Sequence, residues 1–511
     1  MEVVSNTRRI AKNTLMLYFR QILILFVSLY TVRVILNTLG EEDYGIYSVV
    51  GGIVTFFSFL SGTMASATQR FFSFALGQNN DEQLKKSFSV NLIIYLGIAL
   101  LTLLLLETVG LWFVNNNLNI PLERFDSAIF VFHFTAFTFF CTVLASPFMA
   151  IIIAHEDMQI YAYISIVEVI MKLAIVFALK IILGDKLKIY AILLLCVGII
   201  NTVIYLTECM KRYQECQFKK IYWDKSLFKD IFSFTSWTLF GQLTSVGRTQ
   251  AVTILINQFF NPIVVSARAI ATQIANHINV FANNFSTGLY PSIIKSYAAN
   301  QKEEMQKLVF TGCKIAFFLT WFFSLPLFIE MDYVLTLWLK NPPESAVLFT
   351  KLCLIECLIM AMGQPLSTAA RATGKMKSYE LSLGSVQIMI FVADFVLFKF
   401  FEFPAFTVFI VAAIGNFIMF LLRFIFLYRK IDFPVVLFFY KVMLRIIAVM
   451  VVSAVISILI DRFLPDDFAF VFLSVVLTVC VSCFSMLFFG FEKIERNAVI
   501  AKFYGLMRKK K

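Results

Sequence analysis

The chain has 511 residues, of which 60% are hydrophobic and 15% charged, with a mean hydropathy of +0.82. Soluble chains are nearer half apolar and a quarter charged, so a water-soluble globular protein is excluded. The net charge of +12 raises a nucleic-acid partner, but the charge sits in loops on one side of the predicted membrane, which excludes that class as well.

The basic N-terminus MEVVSNTRRIAKNT runs into an apolar stretch from about Thr14 to Leu36. That stretch is too long for a signal-peptide core and no small-residue cleavage site follows, so it reads as a retained first span, centred near 26. Further apolar stretches of about 20 residues, enough to cross about 30 Å of hydrocarbon, centre near 60, 100, 140, 171, 199, 243, 276, 319, 358, 390, 416, 449 and 479. The prediction is an all-α polytopic membrane protein of about fourteen transmembrane helices, with both termini on one side.

Placing the N-terminus inside gives the inner segments Arg8, Arg9, Lys12, Lys85, Lys86, Lys295, Lys302, Lys307, Arg371, Lys375, Lys377, Arg429 and Lys430. The inner side also takes the cluster from Lys211 to Lys229 and the basic tail from Lys493 to Lys511. The outer segments keep only Arg124, Lys186, Lys188, Lys340, Lys399 and Arg462. By the positive-inside rule both termini are cytoplasmic. The inner loop AHEDMQ around His155, which has no Lys or Arg, is the one exception.

The inner loop KRYQECQFKKIYWDKSLFK divides the chain into comparable parts. Asn37 to Lys86 matches Asn257 to Lys307 at an offset of about 220 residues: an Asn after an apolar span, a short outer turn, a long polar-striped span, then GQNNDEQLKK against ANQKEEMQKL. Two parallel, pseudo-symmetric six-helix lobes follow, at 1–210 and 231–430, joined by a cytoplasmic basic linker at 211–230. Residues 431–511 add two helices and the basic tail.

Charged groups in hydrocarbon cost about 2.5–3.5 kcal/mol each on insertion scales, so they face a cavity or a partner. Arg248 lies roughly eight residues, about 12 Å, inside span seven, too deep to snorkel, and reads as cavity-lining. Arg20 and Arg268 lie about six residues into spans one and eight, where lining and snorkelling both fit. Arg33 and Arg70 are near span ends and read as interfacial. Glu168 and Lys172 form an i, i+4 pair in span five, either structural or part of transport. Glu356 and Asp394 have no partner on their own helices, and both, with Glu168, are candidates for ion coupling.

Span eight carries Gln273, Asn276, His277, Asn283, Asn284 and Thr287 at helical spacing; span two carries Ser48, Thr55, Ser58, Ser66 and Gln69. Such stripes serve as interhelical glue, but a pair at corresponding positions of a repeat reads as walls of a wet cavity. His277 reads as a member of the stripe rather than a metal ligand. Arginine keeps its charge and offers a planar fork to phosphate, so an Arg-lined cavity favours an anionic cargo.

No P-loop and no GxGxxG after a strand occurs, and no outer loop, including NNNLNIPLERFDS and MDYVLTLWLKNPPES, is long enough for a catalytic domain. The turn at Pro465, Asp466 and Asp467 is predicted outside, away from cytosolic nucleotide sugars. A membrane glycosyltransferase or polymerase is therefore disfavoured, and no enzyme activity is expected. The nine Cys residues lie mostly in apolar stretches, and pairs such as Cys353/Cys357 and Cys480/Cys483 lack partners at metal-ligand spacing. They read as packing residues, with no metal site.

The stretch NPIVVSARAIATQIANHINVFANNFSTGLYPSIIKSYA at 261–298 resembles span eight of bacterial polysaccharide flippases, also described as lipopolysaccharide biosynthesis or O-antigen transporter proteins. These belong to the multidrug/oligosaccharidyl-lipid/polysaccharide exporter (MOP) superfamily. The opening LYTVRVILNTLGEEDYGIYSVVGGI at 29–53 is similar to that family's first hairpin. The resemblance implies an inner-membrane flippase that carries an undecaprenyl-diphosphate-linked oligosaccharide to the periplasmic leaflet by alternating access. It also implies a cationic lumen, which Arg20, Arg248 and Arg268 would supply, and a polysaccharide polymerase and glycosyltransferases as partners. No cofactor is expected beyond a coupling H⁺ or Na⁺. A cation-coupled multidrug exporter of the same superfamily is the alternative.

Overall fold

The computed structural model describes residues 2–117, 120–217, 222–260, 262–465, 467–492 and 496. The basic tail beyond Arg496, and Lys219 and Lys220 of the linker, lie outside the described residues. Of the described residues 90% are helical, and none of them lies in a strand. In chain order the helices are α1 (Glu2–Leu39), α2 (Glu41–Phe56), α3 (Ser58–Gly77), α4 (Asp81–Leu105), α5 (Leu111–Asn117) and α6 (Phe125–Ala154). Then come α7 (Met158–Ile181), α8 (Lys186–Arg212), α9 (Lys225–Phe259), α10 (Pro262–Ala298), α11 (Lys302–Leu339) and α12 (Ala346–Ala372). The last are α13 (Met376–Phe401), α14 (Thr407–Ile431), α15 (Val435–Phe438), α16 (Leu444–Arg462) and α17 (Phe468–Ser485).

All the expected span centres fall inside these helices, and the all-α polytopic class holds. Among the described residues, nine helical stretches are long and apolar enough to cross a membrane. The centres near 26, 60, 171, 243 and 276 lie in helices outside those nine. Local chemistry sets several ends. Gly40 takes φ +86° to turn α1 into α2. Asn80 caps α4 by accepting from the Gln83 amide at 2.9 Å. The second predicted span is broken at Phe57, with φ −78° and ψ −5°, whereas α10, its counterpart in the repeat, runs unbroken for 37 residues.

Two compact units form, one of Met1–Gln242 with Ile294–Asn300, the other of Leu243–Ile293 with Gln301–Lys511. The division therefore falls inside α9 and α10, and the linker 211–230 belongs wholly to unit 1. The first half of α9 stays there because Phe234 packs edge-on against Phe71 at 5.7 Å and under the Arg70 guanidinium. Arg70, read from sequence as interfacial, is instead buried, with its guanidinium 4.7 Å from the Phe71 and Phe74 rings. In unit 2, α16 and α17 pack on α11. Trp321 donates from Nε1 to Ser453 Oγ at 2.9 Å, and a Cβ at Gly490 would lie 2.6 Å from Phe318 Cζ, so only glycine admits that ring.

The acidic loop that broke the positive-inside pattern joins α6 to α7, and each of its three ionisable groups is engaged within unit 1. His155 Nε2 lies 2.6 Å from Glu215 Oε1, and its ring stacks on Tyr213 at 4.4 Å. Tyr213 donates to Asp157 Oδ2 at 2.6 Å. Burial first, and then this bond, push the Tyr213 hydroxyl far above its ordinary range, so it remains a donor. Glu156 has φ +65° and a fully buried side chain that accepts from Lys295 Nζ at 3.0 Å, while its carbonyl accepts from Asn13 Nδ2 at 2.9 Å. The loop thus draws its cation from the end of α10. Glu156→Ala should strip Lys295 of its buried partner and cost about 1–3 kcal/mol, read as a drop of several degrees in the unfolding temperature of the detergent-solubilised protein.

On the other rim of unit 1, Arg124 bridges Asp43 and Asp185, and Ser127 donates to Asp185 Oδ2 at 2.7 Å. Burial alone would raise Asp185, but the Ser127 hydroxyl, the amides of α8 and Arg124 together hold it below the usual carboxylate range.

Candidate functional site

Each unit holds a polar cluster among its helices. In unit 1, Arg20 of α1 donates from Nη1 to Ser165 Oγ of α7 at 3.3 Å, and its guanidinium lies 4.6 Å over the Tyr161 ring. Its Nε is buried without a partner among the described residues. One turn along α7, Glu168 is committed on both oxygens: Lys172 Nζ reaches Oε1 at 2.6 Å and Asn201 Nδ2 of α8 reaches Oε2 at 3.1 Å.

Unit 2 brings together residues from five helices. Arg248 of α9 lies eleven residues before the C-terminal end of that helix, about 16 Å by helical rise. Its Nη2 is 3.3 Å from Glu356 Oε1 of α12, which also accepts from Asn416 Nδ2 of α14 at 2.8 Å. Arg268 of α10 donates to Thr253 Oγ1 and, from both terminal nitrogens, to the Thr249 carbonyl at 3.4 Å. Asp394 of α13 is 1% exposed, within electrostatic range of Arg248, Arg268 and Glu356. Neither of its oxygens has a hydrogen-bond partner among the described residues. Gly415 lets α13 and α14 close here: a Cβ on it would lie 2.3 Å from Ile390 Cδ1, one turn before Asp394.

The chemical content of this cluster is two guanidiniums against two carboxylates. Arg248 is paired rather than free, and Nε of both Arg248 and Arg268 is buried without a partner among the described residues. A buried carboxylate with no donor among the described residues is costly as an anion, a cost that the nearby Arg248 and Arg268 guanidiniums offset in part.

The polar stripe of α10 is laid on one face. Gln273, Asn276, His277 and Asn283 are exposed and Asn284 and Thr287 half-buried, while Ala267, Ala271, Ala275, Ile278 and Ala282 make the buried face. An exposed Asn and Gln row on a membrane helix needs water or a polar ligand beside it. The corresponding stripe on span two does not repeat this: Gln69 is buried, 8% exposed, with Nε2 unpartnered among the described residues. Beside it, Thr68 bonds Asn91 and Tyr95 inside unit 1 at 2.8 and 3.2 Å. Ser66 is half-buried, donating to the Thr63 carbonyl at 2.8 Å. The side chains of Ser48, Thr55, Ser58 and Arg33 lie outside the described residues.

The polysaccharide biosynthesis protein family matches residues 10–297, more than half of the chain. The chain belongs to that family. The MatE family matches 238–392, which takes in Arg248, Arg268 and Glu356 and stops short of Asp394 and Asn416. Solved structures give the fold. A MATE mutant crystal structure superimposes with a TM-score of 0.73 at 14% identity, covering 84% of this chain and 96% of that one. A multidrug resistance MATE family transporter of the MOP superfamily, in an outward-facing conformation, gives 0.70 at 14% with the same coverage. A MOP superfamily transporter from Pyrococcus furiosus, described as having a binding pocket of reverse polarity, gives 0.68 at 15%, again covering 84% and 96%. None of the curated proteins matches the chain. This polysaccharide biosynthesis protein is thus a multi-pass membrane protein with the MOP-superfamily transporter fold.

In this family member, sequence reasoning missed Asn201, Asn416, Thr249 and Thr253. The two Asn residues were detectable as amides near the middle of apolar spans six and twelve. The two Thr residues carry no such signal, since Thr is ordinary in membrane helices. The cysteines are free thiols; Cys209, Cys216, Cys313, Cys353 and Cys357 are buried, and Cys196, Cys480 and Cys483 are exposed on apolar helices. No group of three or more His, Cys, Asp or Glu suited to a metal occurs among the described residues.

Proposed function

We propose that this protein is a flippase that carries a polyprenyl-diphosphate-linked oligosaccharide, an O-antigen, capsule or exopolysaccharide unit, from the cytoplasmic to the periplasmic leaflet of the bacterial inner membrane by alternating access. The observation that carries the reading is the exposed amide face of α10, Gln273, Asn276 and Asn283, in a polysaccharide biosynthesis protein. A hydrated glycan satisfies such a row, and the polyprenyl tail stays in lipid. The charge of the loops supports cytoplasmic termini.

Within unit 2, Arg248 and Arg268 are the donors for the diphosphate, and within unit 1 Arg20 is a further candidate phosphate donor. A phosphate at Arg248 competes with Glu356, whose single contact of 3.3 Å leaves the remaining guanidinium nitrogens available. Asp394 is the first candidate for a coupling H⁺ or Na⁺, because both its oxygens lack donors among the described residues. Glu356 shares the site, and Glu168 is held by Lys172 and Asn201. A polymerase and glycosyltransferases of polysaccharide assembly are the partners this role requires.

A second reading, a cation-coupled multidrug exporter, draws on the MatE match and on the carboxylates of the same cluster. Deleting the gene in its native host separates the two. The flippase reading expects loss of surface polysaccharide with no change in sensitivity to cationic dyes, restored by the wild-type gene and not by Arg248→Glu at equal protein level. An intact glycan coat with dye sensitivity would replace it with the second reading.

A further inference from the structure

Beyond the charged cluster described above, unit 2 holds a second group of arginines, at the end that carries the turn between α12 and α13. Arg371 lies in the last turn of α12, and Arg423 lies eight residues before the end of α14, about 12 Å by helical rise. The Arg423 guanidinium rests against α12 at Gly363, where a Cβ would stand 2.6 Å from Nη1. Its Nε donates to Tyr379 Oη at 3.3 Å, and Tyr379 donates in turn to Ser367 Oγ at 2.8 Å. Arg371 faces the Tyr290 hydroxyl of α10, and its Nε is buried without a partner among the described residues. Glu380, 6% exposed, lies within electrostatic range of both guanidiniums, yet neither makes an ion pair with it among the described residues.

The geometry points to a binding site for a lipid-borne phosphate group, formed by Arg371 and Arg423 with Tyr290 and Tyr379 around them. Two guanidiniums lie within electrostatic range of one carboxylate, so one positive charge is left for a ligand. The arginines keep donors in a fork suited to phosphate oxygens. Arg371 sits in the last turn of α12 and Arg423 about 12 Å from the end of α14, both nearer a helix end than Arg248 at about 16 Å. On the orientation proposed above, on which this inference rests, that end is cytoplasmic, where a substrate diphosphate or an anionic phospholipid would be met.

The test uses the full-length protein in nanodiscs. Farnesyl diphosphate is one probe; phosphatidylglycerol, against a phosphatidylcholine background, is the other. Native mass spectrometry counts what is retained. The Arg371→Gln/Arg423→Gln variant is expected to lose one bound equivalent of a phosphate-bearing lipid. Gly363→Ala, which pushes the Arg423 guanidinium aside without removing its charge, should weaken that equivalent about tenfold. Loss of farnesyl diphosphate assigns the site to the transported lipid, and loss of phosphatidylglycerol alone assigns it to the membrane. Retention of both probes at wild-type stoichiometry overturns the site, and if the double variant does not fold, unchanged binding by Gly363→Ala does so. Because binding is read without transport, a deletion strain with a normal glycan coat would refute the flippase and leave this site standing.

Discussion

Glu356→Ala is expected to destabilise the protein by about 3–5 kcal/mol, the cost of leaving a buried charge without its partner. Glu356 Oε1 holds Arg248 and Asn416 at 3.3 and 2.8 Å, tying α9, α12 and α14 at one point. Without the carboxylate, Arg248 is a cation in a low-dielectric surrounding, about 16 Å from the nearer helix end by helical rise. Arg248→Met should cost less, because Asn416 still donates to Glu356. Replacing both by Met removes the uncompensated charge, and ion pairs replaced by apolar groups of similar volume are often neutral. The double variant should therefore be more stable than Glu356→Ala in thermal unfolding of detergent-solubilised protein. Losses that simply add would show that the two side chains do not act on each other.

Asp394→Asn separates stability from transport in the opposite sense. Both Asp394 oxygens lack donors and the side chain is 1% exposed, so a neutral amide of the same shape should leave the unfolding temperature unchanged or raise it. Ion-driven transport should fall by tenfold or more, since the amide binds neither a proton nor a cation as the carboxylate does. In proteoliposomes, wild type should respond to an imposed H⁺ or Na⁺ gradient and Asp394→Asn to neither. A gradient response retained by the variant would remove Asp394 from coupling and turn attention to Glu356 and Glu168.

The helical class was legible because a helix crossing about 30 Å of lipid must write some 20 apolar residues into the sequence. The break at Phe57 was not, because the apolar pattern runs through it and a single residue bends the chain. The face of α10 was readable from the spacing of Gln273, Asn276 and Asn283, since helical period and exposure are one geometry. The same logic failed at Gln69, which is buried, because which face of α3 is covered is set by its packing against other helices and not by its own period. Depth singled out Arg248, but its partner Glu356 is 108 positions away, and no periodicity links residues on different helices. The sequence reading therefore assigned the Arg residues a free positive charge that unit 2 largely balances. The His155 loop shows the reverse case. It departed from the charge rule, and its partners, Lys295 and Glu215, lie 139 and 60 positions away.

The most direct test of the central claim is reconstitution of the purified protein in liposomes carrying a fluorescent undecaprenyl-diphosphate oligosaccharide, with a membrane-impermeant quencher reporting leaflet position. Wild-type protein should speed transfer between leaflets, and Arg248→Gln, which leaves Glu356 its Asn416 donor, should abolish that acceleration at an equal inserted amount. Transfer no faster than in protein-free liposomes, alongside accelerated efflux of a cationic dye, would contradict the flippase account.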